Sequence, residues 1–125
     1  MPSSPIQNIK QISHHPLKGA IFENYAVAEL LKNRMNLGNN SNLYFFRDNT
    51  GNEVDVILEN GNSVKPVEIK LGSTINEDFF KGLKYYLKIN SQNAGKPAVI
   101  YGGSENQRRS DFDVFSYKNI GMLNV

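Results

Sequence analysis

Apolar residues first settle into a regular period after a proline-marked start. Residues 1–16 hold three prolines and no sustained repeat, so they read as a linker or the remnant of a preceding segment, with one domain expected over 17–125. From Gly19 to about Met35, Val27, Leu30 and Leu31 recur at spacings of three and four, and Gly38-Asn39-Asn40 closes the run. That period predicts an amphipathic helix. Leu43 to Arg47, Glu53 to Glu59 and Ser63 to Leu71 are short and rich in Val, Ile and Phe, which predicts three strands. Asp48-Asn49-Thr50-Gly51-Asn52 consists almost wholly of turn formers and joins the first two. Asn60-Gly61 is a two-residue hairpin signal, because both central positions of a type I′ turn need positive φ. Beyond Gly72, Ser73 and Thr74 offer N-caps to a second helix carrying Phe79, Phe80, Leu83, Tyr86 and Leu87 and ending near Asn90. Ala98 to Tyr101 reads as a strand parallel to the third, with Phe112 to Tyr117 and Ile120 to Val125 as further strands. The order α-β-β-β-α-β predicts an α/β fold, a mixed sheet flanked by helices.

Several charged residues sit where this pattern expects apolar ones. On a wheel of about 100° per residue, Glu23 lies about 40° from Val27 and about 20° from Leu30, on the buried stripe, whereas Glu29 lies about 120° away. An inward carboxylate demands a partner or a cation, although a place in the first turn would also complement the helix dipole. A hairpin turning at Asn60-Gly61 pairs Glu59 with Asn62, and so Ile57 with Val64 and Asp55 with Pro66. Asp55 then shares a face with Glu68, its diagonal neighbour, and with Lys70 one step further. Val54, Val56, Leu58, Val67, Ile69 and Leu71 fall on the other face, expected to be the main core face. Asp55, Glu68 and Lys70 alone would pass for a solvated cross-strand ion pair. Ile57 beside Val64 argues instead for a partly covered polar face, with the Glu23 stripe as its cover.

Composition narrows the chemistry. The 125 residues contain no cysteine, which excludes disulfides and thiolate metal sites and fits a cytoplasmic protein. No apolar run approaches a membrane span, and the first residues lack the apolar block of a signal peptide. A net charge of +2 allows nucleic-acid binding without requiring it. Lys81, Lys84 and Lys88 fall within about 60° of each other on the outer side of the second helix. With Arg108 and Arg109 they are the candidate nucleic-acid contacts, although solvated lysines on an outer face are commoner. His14-His15, in the presumed linker, reads as an exposed polar pair, and no other histidine exists to build a nucleophilic triad.

A helical glutamate, an aspartate early in the second strand and Glu68-Ile69-Lys70 on the third resemble the PD-(D/E)xK nuclease-like arrangement. The α-β-β-β-α-β order is similar to the restriction-endonuclease-like core, with Val54 standing where the pattern's name has proline. A closer resemblance spans residues 16 to about 90. Pro16-Leu17-Lys18-Gly19-Ala20-Ile21-Phe22-Glu23-Asn24, Phe46-Arg47-Asp48, Gly51-Asn52-Glu53-Val54-Asp55 and Pro66-Val67-Glu68-Ile69-Lys70 look like the C-terminal domain, of unknown function, that follows an AAA-type ATPase module in many predicted bacterial and archaeal ATPases. This chain has no P-loop, since its single Gly-Lys pair, Gly95-Lys96, is followed by Pro97, and it looks like that domain detached from its ATPase module. The resemblance implies a catalytic set of Glu23, Asp55, Glu68 and Lys70. A magnesium or manganese ion would be held by Asp55, Glu68, the Ile69 carbonyl and Glu23, directly or through water. It implies a phosphodiesterase acting on DNA or RNA; the alternative is a non-catalytic module docking an AAA-type ATPase.

Overall fold

The computed structural model describes residues 17–36, 38, 43–90 and 92–123. The presumed linker, with His14-His15, lies outside the described residues, as do residues 124–125. The chain runs as α1 (Lys18–Asn36), β1 (Leu43–Arg47), β2 (Glu53–Asn60), β3 (Ser63–Lys70), a 3-10 turn (Glu77–Phe80), α2 (Lys81–Ile89), β4 (Ala98–Tyr101), β5 (Gln107–Arg108), β6 (Asp113–Ser116) and a closing 3-10 stretch (Tyr117–Met122). The cap of the 3-10 turn is Asn76, whose side chain accepts from the Asp78 amide at 2.9 Å, rather than Ser73 or Thr74. Ile120 to Met122, expected as strand, are helical: Ser116 caps the stretch, and Ile120 and Leu123 bury against α1's core instead of joining the sheet.

One mixed sheet holds all six strands in the order β1-β2-β3-β4-β6-β5. β1, β2 and β3 are antiparallel, while β3–β4 and β4–β6 are parallel, so α2 is the crossover between β3 and β4. The hairpin register differs from expectation. Asn60 pairs with Ser63 and Ile57 with Pro66, making Gly61-Asn62 the two-residue loop. Only Gly61 takes positive φ, at 60°, which fits a type II′ turn rather than I′. The shift places Asp55 level with Glu68.

A second irregularity lies in β2. Tyr44 pairs with Ile57 and Phe46 with Val54, so Asp55 and Val56 together oppose Phe45. That is a β-bulge, and it reverses which way the strand's start faces. Val56 and Leu58 pack with Val67, Ile69 and α1's Ala26 and Leu30. Val54, expected beside them, joins Ile57 on the opposite side with Phe79, Phe80, Leu83 and Tyr86. The face bearing Ile57 and Glu68 is therefore covered by α2 and its 3-10 turn, not by the Glu23 stripe. α1 lies across the other face, burying Ala26, Leu30 and Arg34. Arg34 reaches the hairpin's turn end, donating to Asn60 Oδ1 at 3.3 Å and to the Glu59 carbonyl.

Candidate functional site

The paired register of β2 and β3 begins at Val56 and Val67 and runs to the turn. On the other side of that pair, two carboxylates take the amides. The Asp55 amide donates to Glu68 Oε1 at 3.1 Å, and the Ile69 amide donates to Asp55 Oδ2 at 2.7 Å. The strands thus part as a fork with Asp55 and Glu68 wedged in its mouth. The bulge supplies the reason, since it re-aims the start of β2 while β3 continues straight into its pairing with β4.

This geometry corrects the expectation of a shared face. Glu68 alternates with Val67 and Ile69 and so points to the α2 side, where Oε2 lies beside Gly82. Asp55 opens toward α1 and lines a cleft with Glu23. The two carboxylates meet through the fork. Glu68 is 4% exposed, and its pKa is raised chiefly by that burial, then by the Asp55 side chain and its charge; Lys70 partly opposes the rise. The direction follows from burial and from repulsion, because an ionised Glu68 would sit desolvated against the Asp55 carboxylate. Glu23, half-buried, is also raised, first by burial and then by Asp55 and Glu53, again with Lys70 opposing. Glu23 senses the pair without completing a cage: among the described residues, no three Asp, Glu or His side chains group closely enough to hold a metal ion. α1 lies on the far side of the sheet from Glu68, which accounts for the separation.

A buried Glu68 carboxyl in contact with a half-buried Asp55 carboxylate does suit a hard divalent cation. They offer oxygen only, and the cation can displace the proton that burial and repulsion make Glu68 keep. Magnesium, which retains several waters, does not need a full protein cage.

A cleft opens on each side of the fork. On the α1 side, about 310 Å³ is bounded by Glu23, Phe45, Arg47, Glu53 and Asp55. On the α2 side, about 290 Å³ is bounded by Glu68, Lys70, Lys81, Gly82 and the Thr50-Gly51-Asn52 turn. That turn is held by Asp48, whose carboxylate accepts from the Thr50 and Asn52 amides at 3.0 and 2.9 Å and from both their side chains. Hydrogen bonds, from Tyr85 of α2 first and from Asn52 and Thr50, hold its pKa well below the usual carboxylate range. Gly51 sits at φ 91°, where a side chain would strain the turn.

Sequence reasoning missed Gly82. A Cβ there would stand 2.4 Å from the Glu53 carbonyl and 2.8 Å from Glu68 Oε2. Only glycine lets α2 press onto the fork. The available signal was a glycine inside a helical pattern, which costs about 1 kcal/mol against alanine and therefore asks for a packing reason.

The basic candidates divide. Lys81 stands at the α2-side cleft, whereas Lys84 and Arg109 line another of about 220 Å³ with Phe80 and Phe112. Lys84 pairs with Glu77 at 3.5 Å, Arg108 lies 4.0 Å from Asp113, and Arg109 lies over the Phe80 ring at 5.2 Å. Lys88 is exposed on α2 and lines neither cleft of the fork. Among the described residues no helix is long and apolar enough to cross a membrane.

Residues 18–120 match the family described as Domain of unknown function (DUF4143). Comparison with curated proteins gives no match.

Proposed function

We propose that this chain, which belongs to the DUF4143 family, is a divalent-cation-dependent phosphodiesterase domain acting on nucleic acid. The observation that carries the reading is the contact of Asp55 with Glu68 in the fork of β2 and β3, with Lys70 beside them. Asp55 and Glu68, with the Ile69 carbonyl next to them on β3, are the groups that would hold magnesium or manganese. Bound there, the ion would polarise a scissile phosphate and acidify a water. Glu23 would bond the ion's outer waters from the α1 side. Lys70 lines the α2-side cleft with Glu68 and would orient the attacking water or offset charge on phosphorus. The Asp48-anchored turn keeps that cleft's outer wall in place.

The test is magnesium- or manganese-dependent cleavage of mixed DNA and RNA substrates. Wild-type protein cleaves, and Lys70→Ala and Glu68→Ala do not. Failure of the wild type on every substrate, with no cation binding by calorimetry, overturns the reading.

One observation favours a second reading, a non-catalytic module docking an AAA-type ATPase: the described carboxylates converge in a pair and not in a threesome. Under it, replacing Asp55 or Glu68 with its amide leaves partner binding intact. The phosphodiesterase reading needs both acids.

A further inference from the structure

We propose that Phe45 is a stacking platform for an unpaired nucleobase, so that the fork takes single-stranded nucleic acid. This rests on the phosphodiesterase reading above and names its substrate class. β1 is an edge strand; Leu43 packs against the α1-side core, Phe46 meets Tyr86 edge-on at 5.1 Å, and Tyr44 stays exposed at 49%. Phe45 is different, 74% exposed, opposite the bulged residues Asp55 and Val56. It forms one wall of the cleft shared with Glu23, Arg47, Glu53 and Asp55.

The rest of that cleft selects the occupant. A second copy of the chain, or a partner's apolar strand, laid over Phe45 would desolvate Glu23, Glu53 and Asp55 together, a severe cost without matching cations. A nucleotide meets both kinds of wall. Its base presents a flat face to the ring, while its phosphates stay wet and reach Arg47 and the cation that the acidic pair would bind. Arg47 is available for this, since its 3.3 Å pair with Glu53 joins side chains 80% and 55% exposed and holds it weakly. Within a duplex the bases are stacked on one another and offer no free face, whereas an unpaired strand does.

The experiment measures binding apart from cleavage, by fluorescence anisotropy with calcium replacing magnesium. The probes are labelled oligothymidylate, oligouridylate and a blunt duplex. Wild type is expected to bind at least one single strand more tightly than the duplex, and Phe45→Ala to weaken that binding at least about fivefold, the low end of a base–aromatic stack. Phe45→Trp should restore it. The thymidylate and uridylate arms distinguish DNA from RNA. Equal affinity for duplex, unchanged binding by Phe45→Ala, or no binding of any probe overturns the inference. So does a dimer in sedimentation that Phe45→Ala abolishes while oligonucleotide affinity stays the same. Phe45-dependent binding without any cleavage in magnesium sinks the phosphodiesterase reading alone.

Discussion

Gly82→Ala sets two well-known effects against each other, and the structure decides which wins. By helix propensity alone the change stabilises α2 by about 1 kcal/mol. The added methyl would, however, lie 2.4 Å from the Glu53 carbonyl and 2.8 Å from Glu68 Oε2, where ordinary contact begins at 3.4 Å. The Glu68 carboxyl can swing aside, but the Glu53 carbonyl is backbone in a paired strand. The first turn of α2 must therefore retreat by about an ångström, loosening Phe79, Phe80 and Leu83 from the sheet. Overpacking of this kind costs roughly 1–3 kcal/mol, so a net loss of about 1 kcal/mol is expected after the propensity gain. Urea denaturation of both proteins measures it directly. A variant more stable than wild type by the propensity increment would refute the reasoning, because it would mean that α2 does not press on the fork.

Glu68 should give the protein an unusual pH profile. The folded carboxyl keeps its proton up to about 9, while the unfolded one loses it near 4.5. Between those values the folded chain binds more protons, so raising the pH favours unfolding by at most about 1.4 kcal/mol per pH unit from this group. Glu68→Gln, which resembles the protonated acid, should lack that slope and overtake wild type in alkali; parallel urea-midpoint profiles would contradict this. Added magnesium should raise the wild-type melting temperature more in alkali than in mild acid, and a pH-independent shift would argue against displacement of the proton. Asp48→Ala should speed amide exchange at Thr50 and Asn52, which lose their acceptor, and unchanged rates by mass spectrometry would count against the anchored turn. Arg34→Met keeps the buried bulk but strips donors from the Glu59 carbonyl and Asn60, at about 1.5–3 kcal/mol by urea denaturation. A Met variant as stable as wild type would remove Arg34 from the account.

The elements that were legible were those with a local cause. Val27 and Leu30 announce a helix by spacing, and Ala98 to Tyr101 occupy the predicted strand because four apolar residues between Pro97 and Gly102 have few alternatives. The juxtaposition of Asp55 and Glu68 was foreseeable from the hairpin, yet the turn formed one residue later than Asn60-Gly61 suggested. That shift made the acids level rather than diagonal. The bulge was not legible, since nothing in Glu53-Val54-Asp55-Val56 breaks alternation; only the pairing of β1 against β2 reveals the extra residue. Ile120 to Met122 look like strand by composition, but Ser116 caps them into a helical turn and α1 offers them a core to enter. Gly82 needed the distance to Glu53, which no local pattern contains.

The bulge at Asp55 and Val56 also places local regularity at odds with the site. Deleting one residue there would let the first two strands zip evenly and restore the alternation that Val54 breaks, yielding a tidier sheet. The same deletion would rotate Asp55 out of Glu68's reach and return the amides at 55 and 69 to ordinary strand partners. Any redesign that rewards sheet uniformity would thus erase the acidic pair first, and a homologue of shortened β2 should be expected to have kept the scaffold and lost the contact between those two acids.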